Sequence, residues 1–245
     1  MASEKVAFIT GGNKGLGFET ARQLGKLGIT VVIGSRDPEK GNAAAKKLQS
    51  EGIHVDAVSF DVSKPADYQA VYSYFDKKYG RLDILINNAG TSSEDFRGGN
   101  KTSTTSTEVL HDTFDINFFG VIQITQTLLP LIRKSSAGRI VNLSSILGSN
   151  TLHATPGSPI YEAKAFAYDA SKAALNSFTV HLAHELKDTK IKVNSAHPGW
   201  VKTDMGTDAA PMEIPDGAKT SVRLATLPDD GPTGGYFHME DALPW

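Results

Sequence analysis

Six short runs rich in β-branched residues punctuate the chain: VAFIT (6–10), TVVIG (30–34), VDAVSF (55–60), DILIN (83–87), RIVNLS (139–144) and KVNSA (192–196). Each reads as a strand of a parallel sheet, because such strands are apolar on both faces. Amphipathic segments of helical length separate them, at 15–27, 39–51, 65–79, 108–133 and about 164–188. Parallel neighbours require a crossover connection, and a helix is the usual one. The alternation therefore predicts an α/β fold with a doubly wound, mainly parallel sheet of about seven strands and helices on both faces. The seventh strand is the weaker GGYFHM (234–239), expected at an edge.

A chain of 245 residues suffices for one large α/β domain. No Pro/Gly/Ser-rich linker divides it, so 1–245 reads as a single domain. The polar stretch SSEDFRGGNKTSTTST (92–107) is read as a surface excursion, mobile by composition. With no cysteine there is no disulfide and no thiolate-ligated metal, as expected of a protein in a reducing cytosol. Lys+Arg 25 against Asp+Glu 27 gives a formal charge of -2, no footprint for nucleic acid or an anionic membrane. The N-terminal MASEKVAFITGG is neither a signal peptide nor a span, and the expected location is cytoplasmic.

The first run passes directly into TGGNKGLG (10–17), and a helical pattern follows. Glycines at 11, 15 and 17 let the chain turn tightly and bring backbone amides close to a ligand, while the new helix aims its N-terminal N–H groups at a phosphate. The spacing is G-x-x-x-G-x-G rather than the usual G-x-G-x-x-G. Further along come NNAG (87–90), Asn117 in a helical segment, NLSS (142–145), YDASK (168–172) and PGWVKT (198–203).

In this order the motifs resemble those of the short-chain dehydrogenase/reductase family, in particular its carbonyl-reductase-like branch. The latter is marked by GGNKG, by SRD after the second run and by NFFG at 117–120. The resemblance spans the whole chain and implies a Rossmann-type fold, an NADP(H) cofactor in preference to NAD(H), and hydride transfer to or from a small carbonyl or alcohol substrate. For the cofactor it implies the turn residues Gly11, Asn13, Lys14, Gly15, Leu16 and Gly17, then Asp61 and Val62 at the adenine. It adds Asn88, Ala89 and Gly90 at a ribose, Tyr168 and Lys172, and Pro198, Gly199, Val201 and Thr203 toward the nicotinamide and a phosphate. Asn87 is expected to tie neighbouring strands. An acidic residue at the end of the second strand would bind a ribose 2′-hydroxyl and repel a 2′-phosphate. Ser35 and Arg36 stand there, with Asp37 one place on; Arg36 and Lys14 together suit a 2′-phosphate.

Hydride transfer needs a proton delivered to the developing alkoxide. A tyrosine serves if its pKa, ordinarily near 10, is lowered. A lysine ammonium roughly 5 Å away, at an effective dielectric near 20, stabilises phenolate by about 3 kcal/mol, on the order of two pKa units. The stretch YEAKAFAYDASKA (161–173) offers several Tyr/Lys pairs at helical spacing. The resemblance selects Tyr168 with Lys172, leaving Tyr161 and Lys164 to an insertion (153–167), with Lys164 expected to point to solvent. It likewise puts Ser145 on the substrate oxygen, with Ser144 the rival, and Asn117 in a proton relay through water. His197 is read as wall. The pair His181/His184 in HLAHE and the acceptor-like NKT (100–102) and NLS (142–144) are set aside, and no metal site is expected. Oligomeric state stays open between monomer, dimer and tetramer. The rival from another class is a dinucleotide-sensing binding protein without turnover; an epimerase or dehydratase would want an acid where Arg36 sits.

Overall fold

Alternate residues of the first strand enter different layers. Val6 and Phe8 pack into one apolar cluster and Ala7 and Ile9 into another, as the period of two in an extended chain dictates. The computed structural model describes residues 5–94, 96 and 99–245. Its strands are β1 (Val6–Thr10), β2 (Thr30–Ser35), β3 (Val55–Ser59), β4 (Ile84–Asn87), β5 (Arg139–Leu143), β6 (Lys192–Ala196), β7 (Tyr236–His238) and β8 (Asp241–Ala242). They form one sheet in the order β3-β2-β1-β4-β5-β6-β7-β8. Every pairing is parallel except that of β7 with β8. The order reverses between β1 and β4, and at such a switch point the loops leave a crevice beyond the carboxyl ends of the strands.

The helices are α1 (Gly15–Lys26), α2 (Pro38–Ser50), α3 (Pro65–Lys78), α4 (Thr107–Phe114), α5 (Gly120–Ile132), α6 (Asn150–Ala154), α7 (Phe166–Glu185) and α8 (Ile214–Ala225). Leu24, Leu48 and Leu224 place α1, α2 and α8 in the cluster on one face. Phe75, Leu128 and Leu182 place α3, α5 and α7 in the cluster on the other. By length and mean hydropathy Thr107–Ile132 passes as a membrane span. It is a core element: Ile124, Leu128, Leu131 and Ile132 are all buried in the layer shared with α3.

Four expectations need correction. β3 is partly exposed rather than buried on both faces, because it is the edge strand. Its Asp56 instead takes hydrogen bonds from Tyr74 and Lys78. The last run does not close the sheet, since β8 pairs outside β7. The helix expected over 108–133 is broken by a π-turn at Asp115–Phe119. Finally α8, not read from the sequence, fills the gap beside α1. Its composition (IPDGAKTSVRLA) is poor for a helix, and only Pro215 and Asp216 in the first turn signal a start.

Candidate active site

The crevice beyond β1, β4, β5 and β6 collects most of the residues singled out from the sequence. At the glycine turn Gly11 and Gly15 hold positive φ, +65° and +56°, the left-handed region that favours glycine. Gly17 serves packing: a Cβ there would lie 2.5 Å from both Asn88 Nδ2 and the Gly11 carbonyl. Asn88 is a brace, donating from its side chain to the carbonyls of Thr10 and Gly11 at 2.9 and 3.2 Å. The Thr10 hydroxyl accepts from the amides of Asn88 and Ala89. So the end of β4 holds the turn, and the turn presents the start of α1. The cap residue Lys14 makes no side-chain cap bond, and the first turn of α1 carries no acid. Among the described residues no side chain caps its first amides, which fits a pyrophosphate. Thr203 faces this turn from the opposite wall; its methyl group would be 3.7 Å from a Cβ on Gly15. Behind it Val201 is buried, and Gly199, at φ +94°, makes the turn after β6.

At the end of β2, Arg36 is exposed. Asp37 is turned away as the cap of α2, accepting from the amides of Glu39 and Lys40 at 3.0 and 3.1 Å. Those bonds, that of Lys40 first, hold its carboxyl below the usual range. Lys14 departs from expectation: its amine pairs with Asp204 across the mouth of the crevice. Asp61 is engaged locally, accepting from the Ser63 amide and hydroxyl at 3.0 and 2.7 Å. Val62 buries its side chain in the core and gives its carbonyl to Tyr68, so only its backbone N–H remains for a ligand.

Ser145, Tyr168 and Lys172 meet at the ends of β5 and α7. Ser145 is partly exposed, accepts from the Leu147 amide at 3.2 Å and neighbours the Tyr168 phenol, whereas Ser144 is buried with no partner for its hydroxyl among the described residues. The Lys172 amine donates to the Leu143 carbonyl at 2.8 Å and lies 5.6 Å from the centroid of the Tyr168 ring. Asn117, on the π-turn, is fully buried. Its side chain donates to the Thr91 carbonyl and the Ser171 hydroxyl at 2.9 and 3.0 Å, and accepts from the Thr91 amide at 2.8 Å. A Cβ on Gly90 would sit 3.4 Å from the Asn117 carbonyl oxygen and 3.6 Å from the Lys172 amine, so both groups border the same small space. Asn87 ties strands as expected, donating to Asn142 at 2.8 Å and to Thr125 at 3.0 Å.

The electrostatics differ from the pairwise reading. Burial pushes the Tyr168 phenol up to about 12, against the hydrogen bond from Ser145. Burial likewise pulls the Lys172 ammonium down to about 8. Both groups lose water together, so desolvation outweighs their mutual attraction and favours the neutral form of each.

Three contacts near Ser145 and Tyr168 escaped the sequence reading. Tyr236, buried on β7, donates its hydroxyl to the Ser145 carbonyl. His197 is more than wall: its Nδ1 accepts from the Ile146 amide at 3.1 Å and so pins the residue after Ser145. Burial, with His238 alongside, lowers its pKa to about 3, so the ring is the neutral acceptor this bond needs. Glu94, from the polar excursion, accepts from the Tyr168 amide at 2.9 Å. No local motif marks these contacts, since each partner lies more than fifty residues away or on another element. The excursion itself is docked rather than free: Asn100 donates to the Lys164 carbonyl at 3.0 Å and Ser106 caps α4. Its Asp95, Arg97 and Gly98, like residues 1–4 of the N-terminal reading, lie outside the described residues.

Lys164 is exposed, as expected, but not free. Its amine lies 3.1 Å from both the carbonyl and Nδ1 of His153, well away from any role at the phenol, and 5.1 Å from the Tyr161 ring centroid. Burial lowers the His153 pKa, and its Nε2 lies 2.9 Å from the Leu147 carbonyl. Asp169 lies 3.3 Å from that Nε2. Burial, and secondarily the Glu94 carboxylate, push its pKa from 3.8 up to about 7. A raised folded-state pKa means that its stabilising contribution is full below about pH 4 and is lost as pH rises through 7. Asp169→Asn, which keeps the acceptor for Ala165, should raise the melting temperature at pH 8 by about 2–5 °C and leave it nearly unchanged at pH 4, allowing for solvent screening. Equal shifts at the two pH values would remove Asp169 as the source.

Comparison with known proteins gives a consistent set of likenesses. A family model described as short chain dehydrogenase matches residues 5–214. Short-chain dehydrogenase/reductase 1 of Saponaria officinalis is 32% identical, the match covering 100% of this chain and 97% of that protein. Carbonyl reductase [NADPH] 1 of Mus musculus is 33% identical, with 100% and 99% covered. Among solved structures, salutaridine reductase from Papaver somniferum superposes with a TM-score of 0.82 at 30% identity, over 96% of this chain and 99% of that one.

Proposed function

Since this chain belongs to the short-chain dehydrogenase/reductase family, as a carbonyl-reductase-like member, we propose that it is an NADPH-dependent reductase of small ketones or aldehydes, with Tyr168 as the general acid. The observation that carries the reading is the meeting of Ser145, Tyr168 and Lys172 in the crevice that the glycine turn faces. Both halves of the crevice hang from one sheet, which supports treating 1–245 as a single dinucleotide-binding and catalytic domain.

In this reading the uncapped amides at the start of α1 hold the pyrophosphate, and Arg36 grips the 2′-phosphate. The engagement of Asp37 as a helix cap supports NADPH over NADH, because its carboxylate is committed to the amides of Glu39 and Lys40. When bound, the reduced nicotinamide supplies the hydride. Ser145 hydrogen-bonds the substrate oxygen and lines it up with the phenol. Tyr168 then gives its proton to the developing alkoxide, and burial already keeps that proton in place at pH 7, so reduction starts from the favoured state. Lys172, with a pKa near 8, can refill the tyrosine, and Asn117 steadies the space through which a proton reaches Lys172.

A panel of carbonyls and alcohols followed at the nicotinamide absorbance tests the activity. No turnover on any of them would favour the dinucleotide sensor. With an active substrate, kcat/KM should be about 10–100-fold higher for NADPH than for NADH, as a charge-assisted bidentate contact implies. Arg36→Ala should bring the two together. A preference for NADH would refute the assignment of Arg36.

A further inference from the structure

The segment after β4 that leads into the polar excursion touches the catalytic set at two points. At its start, Thr91 is clamped by its amide and carbonyl to the Asn117 side chain. Three residues on, the Glu94 carboxylate accepts the amide of Tyr168 at 2.9 Å. Glu94 is itself held by a short turn, its amide donating to the Ser92 hydroxyl at 3.2 Å. Phe96 then sets its ring edge-on to the Tyr168 ring, with centroids 4.9 Å apart.

The helix explains why this contact matters. The first amides of α7 have no intrahelical partner, and the third of them belongs to Tyr168. The acceptor for that amide is ordinarily a Ser, Thr, Asp or Asn at the cap position. Here the cap is Ala165, which has no acceptor to offer. Glu94 takes its place from 74 positions away. A local cap would hold the helix alone; a cap on the excursion couples the helix end, and the tyrosine on it, to the loop over the crevice. Among the described residues the second Glu94 oxygen, which is buried, has no partner, and such a group is costly to bury.

We propose that Glu94 is a positioning residue for Tyr168: docking of the excursion through its carboxylate sets the phenol against Ser145 and the substrate. The proposal rests on the reductase reading above. Measurable carbonyl reduction by the wild-type protein is therefore the first arm of its test; absence of turnover would count against that reading, not against Glu94 in particular.

The second arm compares Glu94→Gln, Glu94→Ala and the double variant Glu94→Ala/Ala165→Ser. For each, kcat, KM for the carbonyl, the NADPH Kd and the melting temperature are measured. Gln keeps an oxygen acceptor at the same reach, so kcat should stay within about twofold of wild type. Ala removes it, and kcat should fall by about 10–100-fold, the scale of a misplaced reacting group. The NADPH Kd should stay within about twofold, because the glycine turn is remote from the change. The double variant gives α7 a cap of its own and should recover the melting temperature while kcat stays low. Full recovery of kcat in the double variant would reduce Glu94 to a helix cap and overturn the proposal. Unchanged kcat in Glu94→Ala would overturn it as well. If Glu94→Ala does not fold, a kcat for folded Glu94→Gln as low as that of Tyr168→Phe would also contradict it.

Discussion

Tyr168→Phe should lower kcat/KM for carbonyl reduction by about 10²–10⁴-fold, the usual worth of a positioned general acid. NADPH binding should survive, because the groups that fit the pyrophosphate lie on the glycine turn and α1. The ring is buried against Phe96 and beneath the Lys172 amine, and phenylalanine preserves that packing. Only the hydroxyl, and with it the contact with Ser145, is lost. Loss of rate with retained NADPH binding and an unchanged melting temperature therefore isolates proton delivery. Full activity in this variant would remove Tyr168 from the mechanism.

Gly17→Ala should weaken NADPH binding by about 10–100-fold, the equivalent of the 1–3 kcal/mol that overpacking typically costs. The added methyl would fall 2.5 Å from Asn88 Nδ2 and from the Gly11 carbonyl, and neither can give way freely. Asn88 is anchored to the Thr10 and Gly11 carbonyls, so moving it releases the turn that presents the first amides of α1. The melting temperature should fall too, by about 2–10 °C. Titration of the variant with NADPH checks the claim, and an unaltered Kd would show that the turn tolerates the displacement.

Position by position, the strands were legible because a buried parallel strand announces itself locally. VAFIT and KVNSA end where β1 and β6 end, and the other four runs differ by a residue at one terminus. The helices fared well where an amphipathic pattern was long. They failed where residues of low helical preference are held by neighbours, as in α8, whose Gly217 would bring a Cβ within 2.5 Å of Val201. Spacing offered Tyr168 with Lys172 among several local pairs, and the resemblance selected it. The pairwise reading misjudged their electrostatics: a Coulomb estimate for two charges leaves out the water both have lost. Lys14 was legible as a cation beside the glycine turn, but its partner Asp204 lies 190 positions away and no pattern announces it.

What the sequence determined by itself was the alternation of strand and helix, the glycine turn and the order of the motifs, all of which depend on neighbours a few residues apart. Tertiary structure alone decided that the Lys14 amine pairs with Asp204, that Tyr236 donates to the Ser145 carbonyl, and that Glu94 stands in for the cap Ala165 cannot provide. Those outcomes depend on burial and on hydrogen bonds between segments far apart in the chain. A buried amide needs an acceptor from somewhere, and only the packed fold determines where it comes from.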